Sequence, residues 1–152
     1  MEHDYTLEWF RFANRDLKTA EFLLDMHPQP YEIICYQCEQ AVEKFLKGFL
    51  LYQGVRPPKI HETDKLCVMC AEYNPEFESI LDECETLTQY GVSPRYPYEI
   101  EVEEHHVKQA LACAQKISTF EPLLAIQQEL EQAQSEIAQE QKLSDGPEIK
   151  MV

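Results

Sequence analysis

The sequence predicts an all-α protein, an up-and-down bundle of about five helices with a long C-terminal helix and a polar tail. Three observations predict it. Apolar residues recur at three- and four-residue steps over several long stretches, and no stretch alternates with the two-residue period of a strand. Prolines stand at the breaks between periodic stretches. Only 4 glycines occur in 152 residues, too few for a turn-rich β design. At this length one domain with a sizeable core is expected: residues 1–126 as the bundle, and 127–152 as a Gln- and Glu-rich extension that loses its apolar period after Leu130 and frays into a disordered tail.

The first helix is expected from Asp4 to about His27, with Leu7, Phe10, Leu17, Ala20 and Leu24 on one face, Asp4 as cap, and Pro28 and Pro30 ending it. The second is expected from Tyr31 to Tyr52, burying Ile34, Cys38, Ala41, Phe45 and Phe49, and broken by Gly54, Pro57 and Pro58. A short third helix fits His61 to Tyr73. Asn74 then caps a fourth, with Pro75 at its first position and Phe77, Ile80, Leu81, Cys84 and Leu87 as its buried stripe. A proline-framed loop, GVSPRYPYEI, leads to a long helix from about Val102, in which Pro122 either introduces a kink or opens a new helix.

Hydrophobic residues make up 44% and charged residues 27%, a balance that argues against wholesale disorder. The N-terminal sequence shows no signal-like pattern and no run of about 18 apolar residues, so a cytoplasmic chain with reduced thiols and no membrane association is expected. A net charge of −15 opposes non-specific binding to duplex nucleic acid, although local basic patches could still hold a nucleotide or short RNA.

Two CxxC pairs, Cys35/Cys38 and Cys67/Cys70, raise the question of zinc. They lie further apart than the usual spacing of about 15–20 residues between zinc-knuckle pairs. Neither contains the Gly or Pro of a tight turn, and both fall within helical periodicity. They read as small apolar core residues, with no metal and no cofactor expected; a structural zinc-binding helical protein is the alternative. The thioredoxin-like redox reading fails because no strand precedes either pair.

Along the second helix, Gln37, Gln40, Lys44 and Lys47 follow at steps of three, four and three and share a face. Glu43 stands four residues before Lys47, the favourable order for a helical ion pair. A solvated face is the simple account. Two amides beside two ammoniums are also able to bind a phosphate or bridge to a partner.

The stretch CYQCEQAVEKFLKGFLLYQG, residues 35–54, resembles the second-helix motif of HEPN-domain proteins, with Glu39 where that family usually has Gln. IHETDKL resembles the family's third-helix opening, LTQYGVSPRYPYEI its Arg-Tyr-Pro loop, and ALACAQKI its last bundle helix; together the resemblance covers about residues 5–120. It implies a five-helix bundle, a homodimer, and a nucleotidyltransferase as partner protein in a toxin–antitoxin type pair. Some members are implied to bind nucleotides and others to be metal-independent ribonucleases with an Arg and a His four to six residues apart. In this chain Arg56 and His61 have that spacing, but Pro57 and Pro58 keep the stretch out of a helix. Arg95 with His105 or His106 is the other candidate pair.

The leading expectation is a nucleotide- or partner-binding module using Gln37, Gln40, Lys44, Lys47, His61, Tyr90, Arg95 and Tyr96; a ribonuclease using an Arg/His pair is the alternative. Arg95, set between Pro94 and Pro97 beside Tyr96, could grip a phosphate or stack on a base. It could equally satisfy carbonyls at the end of the fourth helix or pair with Glu99. His61 reads as a cap-like residue or as a pocket residue beside the two lysines, and no orienting partner for it is visible in the sequence.

Overall fold

The computed structural model describes residues 2–91 and 101–150, with side chains described over 5–91 and 101–144. Among the described residues six helices follow one another: α1 (Glu2–Phe22), α2 (Tyr31–Tyr52), α3 (Thr63–Ala71), α4 (Leu81–Thr88), α5 (Glu104–Ser118) and α6 (Glu121–Lys150). Short 3-10 turns at Leu23–Asp25 and Pro75–Ile80 close α1 and lead into α4. No strand occurs among the described residues.

The bundle is built around α2, which packs along α1 and against α5, α3 and α4. A helix enclosed on several sides needs apolar residues on several sides, and α2 has them: Ile34, Cys35, Cys38, Ala41, Val42, Phe45, Leu46 and Leu50 are all inaccessible to solvent. Its N-terminal boundary follows Pro28 and Pro30. Its end is set by Gly54, whose φ of 80° is a left-handed conformation that a side chain would resist. Phe77 packs at a tilt against Phe49 with ring centroids 4.4 Å apart and meets Phe120 edge-on at 5.1 Å, tying the 3-10 turn to α2 and to the start of α6.

The expected Asn74 cap is present, its side chain accepting from the Glu76 amide at 3.0 Å. The residues it caps form a 3-10 turn before α4 rather than one continuous helix. The sixth helix arises at Pro122, which opens α6 at its second position, where the missing amide hydrogen costs nothing. Leu123, Ile126 and Leu130 seat α6 on the bundle, and Arg11 of α1 reaches Glu131 at 3.2 Å and Gln134 at 2.6 Å. Where composition suggested fraying after Leu130, the backbone stays helical to Lys150, while every side chain from 131 to 144 is exposed.

All six cysteines are free and buried. Cys67 donates to the Phe77 carbonyl and Cys70 to that of Leu46, the behaviour of protonated core thiols rather than of metal-bound thiolates. Among the described residues no three His, Cys, Asp or Glu side chains are grouped to hold a metal ion. The CxxC pairs are core residues. No helix among the described residues is long and apolar enough to cross a membrane.

A candidate functional site at the end of α2

Glu39, Glu43 and Lys47 recur at four-residue steps and so stack along one side of α2. That side turns toward the loop before α3. Glu43, buried, uses both oxygens: Oε2 lies 3.2 Å from Lys47 Nζ and Oε1 lies 3.0 Å from His61 Nδ1. Lys47 is itself buried, so its charge is held inside the protein by Glu43. His61 contrasts with them, with 67% of its side chain exposed. A solvent-facing imidazole is therefore fixed from behind by a buried carboxylate, which leaves Nε2 for a ligand.

One turn back, Glu39 is wholly buried and neither of its oxygens meets a donor. The Glu43 carboxyl is its charged neighbour one turn on, and two buried carboxyls side by side favour a proton on one of them. Burial is the first reason that Glu39 holds this proton, and the neighbouring Glu43 charge adds to it, while Lys47 and Lys44 pull the other way. The result is a Glu39 pKa pushed up to about 9. The space it occupies depends on Gly91: a Cβ there would fall 2.8 Å from Glu39 Oε2. Lys44 forms an ion pair with Asp16 that joins α2 to α1. Burial, followed by the charges of Glu39, Glu43 and Asp16, raises the pKa of Tyr36.

Outside this polar cluster lies a pocket of about 340 Å³ lined by Lys59, Ile60, His61, Glu62, Thr88 and Gly91. Gly91 separates it from Glu39. Its far wall is fixed by a knot of hydrogen bonds between α3 and α4. Thr63 Oγ1 donates to the Cys84 carbonyl at 2.7 Å, Thr88 Oγ1 donates to Asp64 Oδ1 at 2.9 Å, and the Asp64 amide donates to Thr88 Oγ1 at 3.0 Å.

A family model described as the HEPN domain matches residues 6–124. The chain belongs to the HEPN domain family. The crystal structure of an archaeal HEPN homologue is similar to it at a TM-score of 0.60 and 26% sequence identity, covering 82% of this chain and 97% of that one. No curated protein matches it. The HEPN match ends near the start of α6, so most of that helix lies beyond it.

Within this HEPN bundle the residues singled out from sequence separate. Gln37, Gln40 and Lys44 stay half-buried along the flank of α2, with Lys44 held by Asp16. Lys47 turns inward to Glu43, in the ion pair anticipated from their spacing. His61 stands at the pocket mouth. Tyr90 is buried with 2% of its surface exposed; burial first, then the neighbouring Cys35, Cys113 and Cys38, push its pKa up to about 12. Arg95 and Tyr96 lie outside the described residues. Arg56 is exposed. His106 Nδ1 accepts from the Glu103 amide at 2.9 Å and so caps α5, while His105 lies 3.4 Å from Glu103. Sequence reasoning passed over Glu39, Glu43, Lys59 and Thr88 as site residues. The signal for Glu39 was its phase: it follows Cys35 by four and precedes Val42 by three, inside the apolar strip.

Proposed function

We propose that this HEPN chain is a binding module for the phosphate of a nucleotide or short RNA, with the pocket at His61 as its seat. The observation that supports this most is the Glu43–His61 contact of 3.0 Å at the mouth of an open pocket. An imidazole held by a buried carboxylate needs no further ordering when it meets a ligand, and its Nε2, when protonated, is a charge-assisted donor to a phosphate oxygen. Lys59, exposed on the same pocket, supplies a second cation. Lys44 and Lys47 are neutralised by Asp16 and Glu43 and serve the geometry rather than the ligand. Titration of ATP, GTP and a short RNA against the protein, His61→Ala and Lys59→Ala tests this. Each substitution is expected to weaken binding by roughly tenfold or more, the worth of one charge-assisted hydrogen bond. Equal affinity in all three proteins removes the pocket from consideration.

The Glu43–His61 pair also favours a second reading, a metal-independent ribonuclease. There neutral His61, hydrogen-bonded through Nδ1, accepts the ribose hydroxyl proton at Nε2, and Arg56, five residues earlier, meets the developing phosphorane charge. Cleavage of RNA in chelator that disappears in both His61→Ala and Arg56→Ala supports it; an intact substrate rejects it. In either reading we place the working unit in residues 1–126, as a homodimer in the cytoplasm that pairs with a nucleotidyltransferase, and treat 127–152 as an appendage. Light scattering on the protein alone and with such an enzyme measures both associations.

A further inference from the structure

The outer face of α1 carries a stripe left open to solvent. Tyr5, Glu8, Phe12, Arg15, Thr19 and Phe22 follow at steps of three and four along the helix, and each is exposed. Tyr5 is 67% exposed, Phe12 41% and Phe22 77%, while α1 meets α2, α5 and α6 on its other sides. The Arg15 guanidinium lies over the Phe12 ring, 4.4 Å from its centre. Toward the N-terminus Tyr5, Glu8, Trp9 and Phe12 enclose a hollow of about 270 Å³. Four residues at such spacing on one helix are the hole into which a side chain of a facing helix packs.

We propose that this stripe is the surface through which two copies of the chain pair, α1 against α1 in antiparallel sense about a two-fold axis. The inference rests on the homodimer put forward above and names the face that forms it. The stripe is self-complementary, because its most exposed ring and its hollow lie toward opposite ends of one helix and an antiparallel pair brings each to the other. With Phe22 of one copy opposite Tyr5 of the second, Thr19 falls opposite Glu8 and Arg15 opposite Phe12, twice each by symmetry. Helical side chains lean toward their own N-terminus. In an antiparallel pair the Phe22 ring and the hollow between Tyr5 and Phe12 therefore converge.

Charge selects a second copy as the occupant. Residues 5–22 carry Arg11, Arg15 and Lys18 against Glu8, Asp16 and Glu21, three of each sign, on a chain of net charge −15. Two strongly acidic chains can approach through such a neutral face. Opposite charges also meet in detail. Lys18 stands beside Thr19 and so comes next to Glu8 of the second copy. Arg15 gains a second ring, the Phe12 of its mate, and Arg11 at the edge is already held by Glu131 of its own chain. A parallel pair would set Glu8 on Glu8 and Arg15 on Arg15, which repulsion opposes.

The chain has one tryptophan, Trp9, and it lines the hollow that Phe22 of the second copy would fill. Sedimentation equilibrium and tryptophan emission are followed as the full chain is diluted. The expected result is a dimer whose dissociation shifts Trp9 emission to the red with the same midpoint in both measurements, and which tightens as added salt screens the net charge. Phe12→Asp and Phe22→Asp, both at exposed positions, should keep the helical circular dichroism and raise the dissociation constant at least about tenfold. Glu8→Lys and Lys18→Glu should each weaken the dimer, and the two together should restore it. A monomeric parent overturns this inference and the homodimer with it. A dimer with Trp9 emission unchanged on dilution, or one that persists unweakened in Phe22→Asp, overturns the α1 surface alone and leaves the homodimer to another face. A double reversal no tighter than the single ones overturns the antiparallel pairing. No α1 residue lines the His61 pocket, so nucleotide binding there is decided separately from all of these.

Discussion

Replacing Glu39 by Gln should stabilise the protein and remove part of its dependence on pH. In the folded chain Glu39 keeps its proton up to about pH 9, whereas its ordinary value is 4.5. Between these values the folded state holds a proton that the unfolded chain releases, so stability falls as pH rises through this window. One proton is worth about 1.4 kcal/mol per pH unit, and from 4.5 to 7 that amounts to ~3 kcal/mol. The charged groups around Glu39 are Glu43, Lys47 and Lys44 on its own helix, Asp16 of α1 behind Lys44, and His61 beyond Glu43; Gly91 opposite it has no charge. Glutamine has nearly the same shape and can donate its amide to Glu43 without titrating. The gain expected for Glu39→Gln is about 1–3 kcal/mol at pH 7, shrinking toward zero near pH 4.5. Urea unfolding of both proteins at each unit from pH 5 to 9 gives the difference in midpoint directly. A difference that stays constant across the range refutes the buried proton, whatever its size.

Gly48→Ala places a Cβ 2.8 Å from Phe10 Cε1 and 3.1 Å from the Trp9 Cβ, so α1 must move off α2; a loss of ~1–3 kcal/mol with an unchanged denaturant slope is expected. Glu43→Gln leaves the Lys47 ammonium buried without a countercharge and should cost about 3 kcal/mol in thermal or urea unfolding, a loss that Lys47→Met on the same background partly restores. Ending the chain after Gln134 keeps the contacts of Arg11 with α6 and, among the described side chains, removes only the exposed ones of residues 135–144, so the unfolding free energy should change by less than about 1 kcal/mol.

The frame of the bundle was legible because its signals are local. The span of α2, the Asn74 cap and the burial of Cys35, Cys38, Cys67 and Cys70 all follow from spacing within one helix or turn. The Glu43–Lys47 pair belongs with them. The site was less legible because it depends on how elements meet. Lys44 looks like a free cation until α1 brings Asp16 to it, and His61 lacks an orienting partner until the loop folds back onto Glu43. Tyr90, whose neighbours in sequence are polar, lies in the core because α4 directs it toward the thiols of α2 and α5. The Pro122 break and a long C-terminal helix were visible, but the continuation of α6 beyond Leu130 was not: a Gln- and Glu-rich run has adequate helix propensity without any apolar period.

The threonine–aspartate knot has a consequence for motion. α3 and α4 have nine and eight residues, each too short to persist as a helix by itself in water. Joined through Thr63, Asp64 and Thr88, they should lose their amide protection as a block, with one shared opening free energy. Breathing of that block would widen or shut the cleft at His61 while the α1–α2 pair stays closed. Exchange with deuterium would then show two tiers in one small bundle, a slow axle and a faster hinged wall.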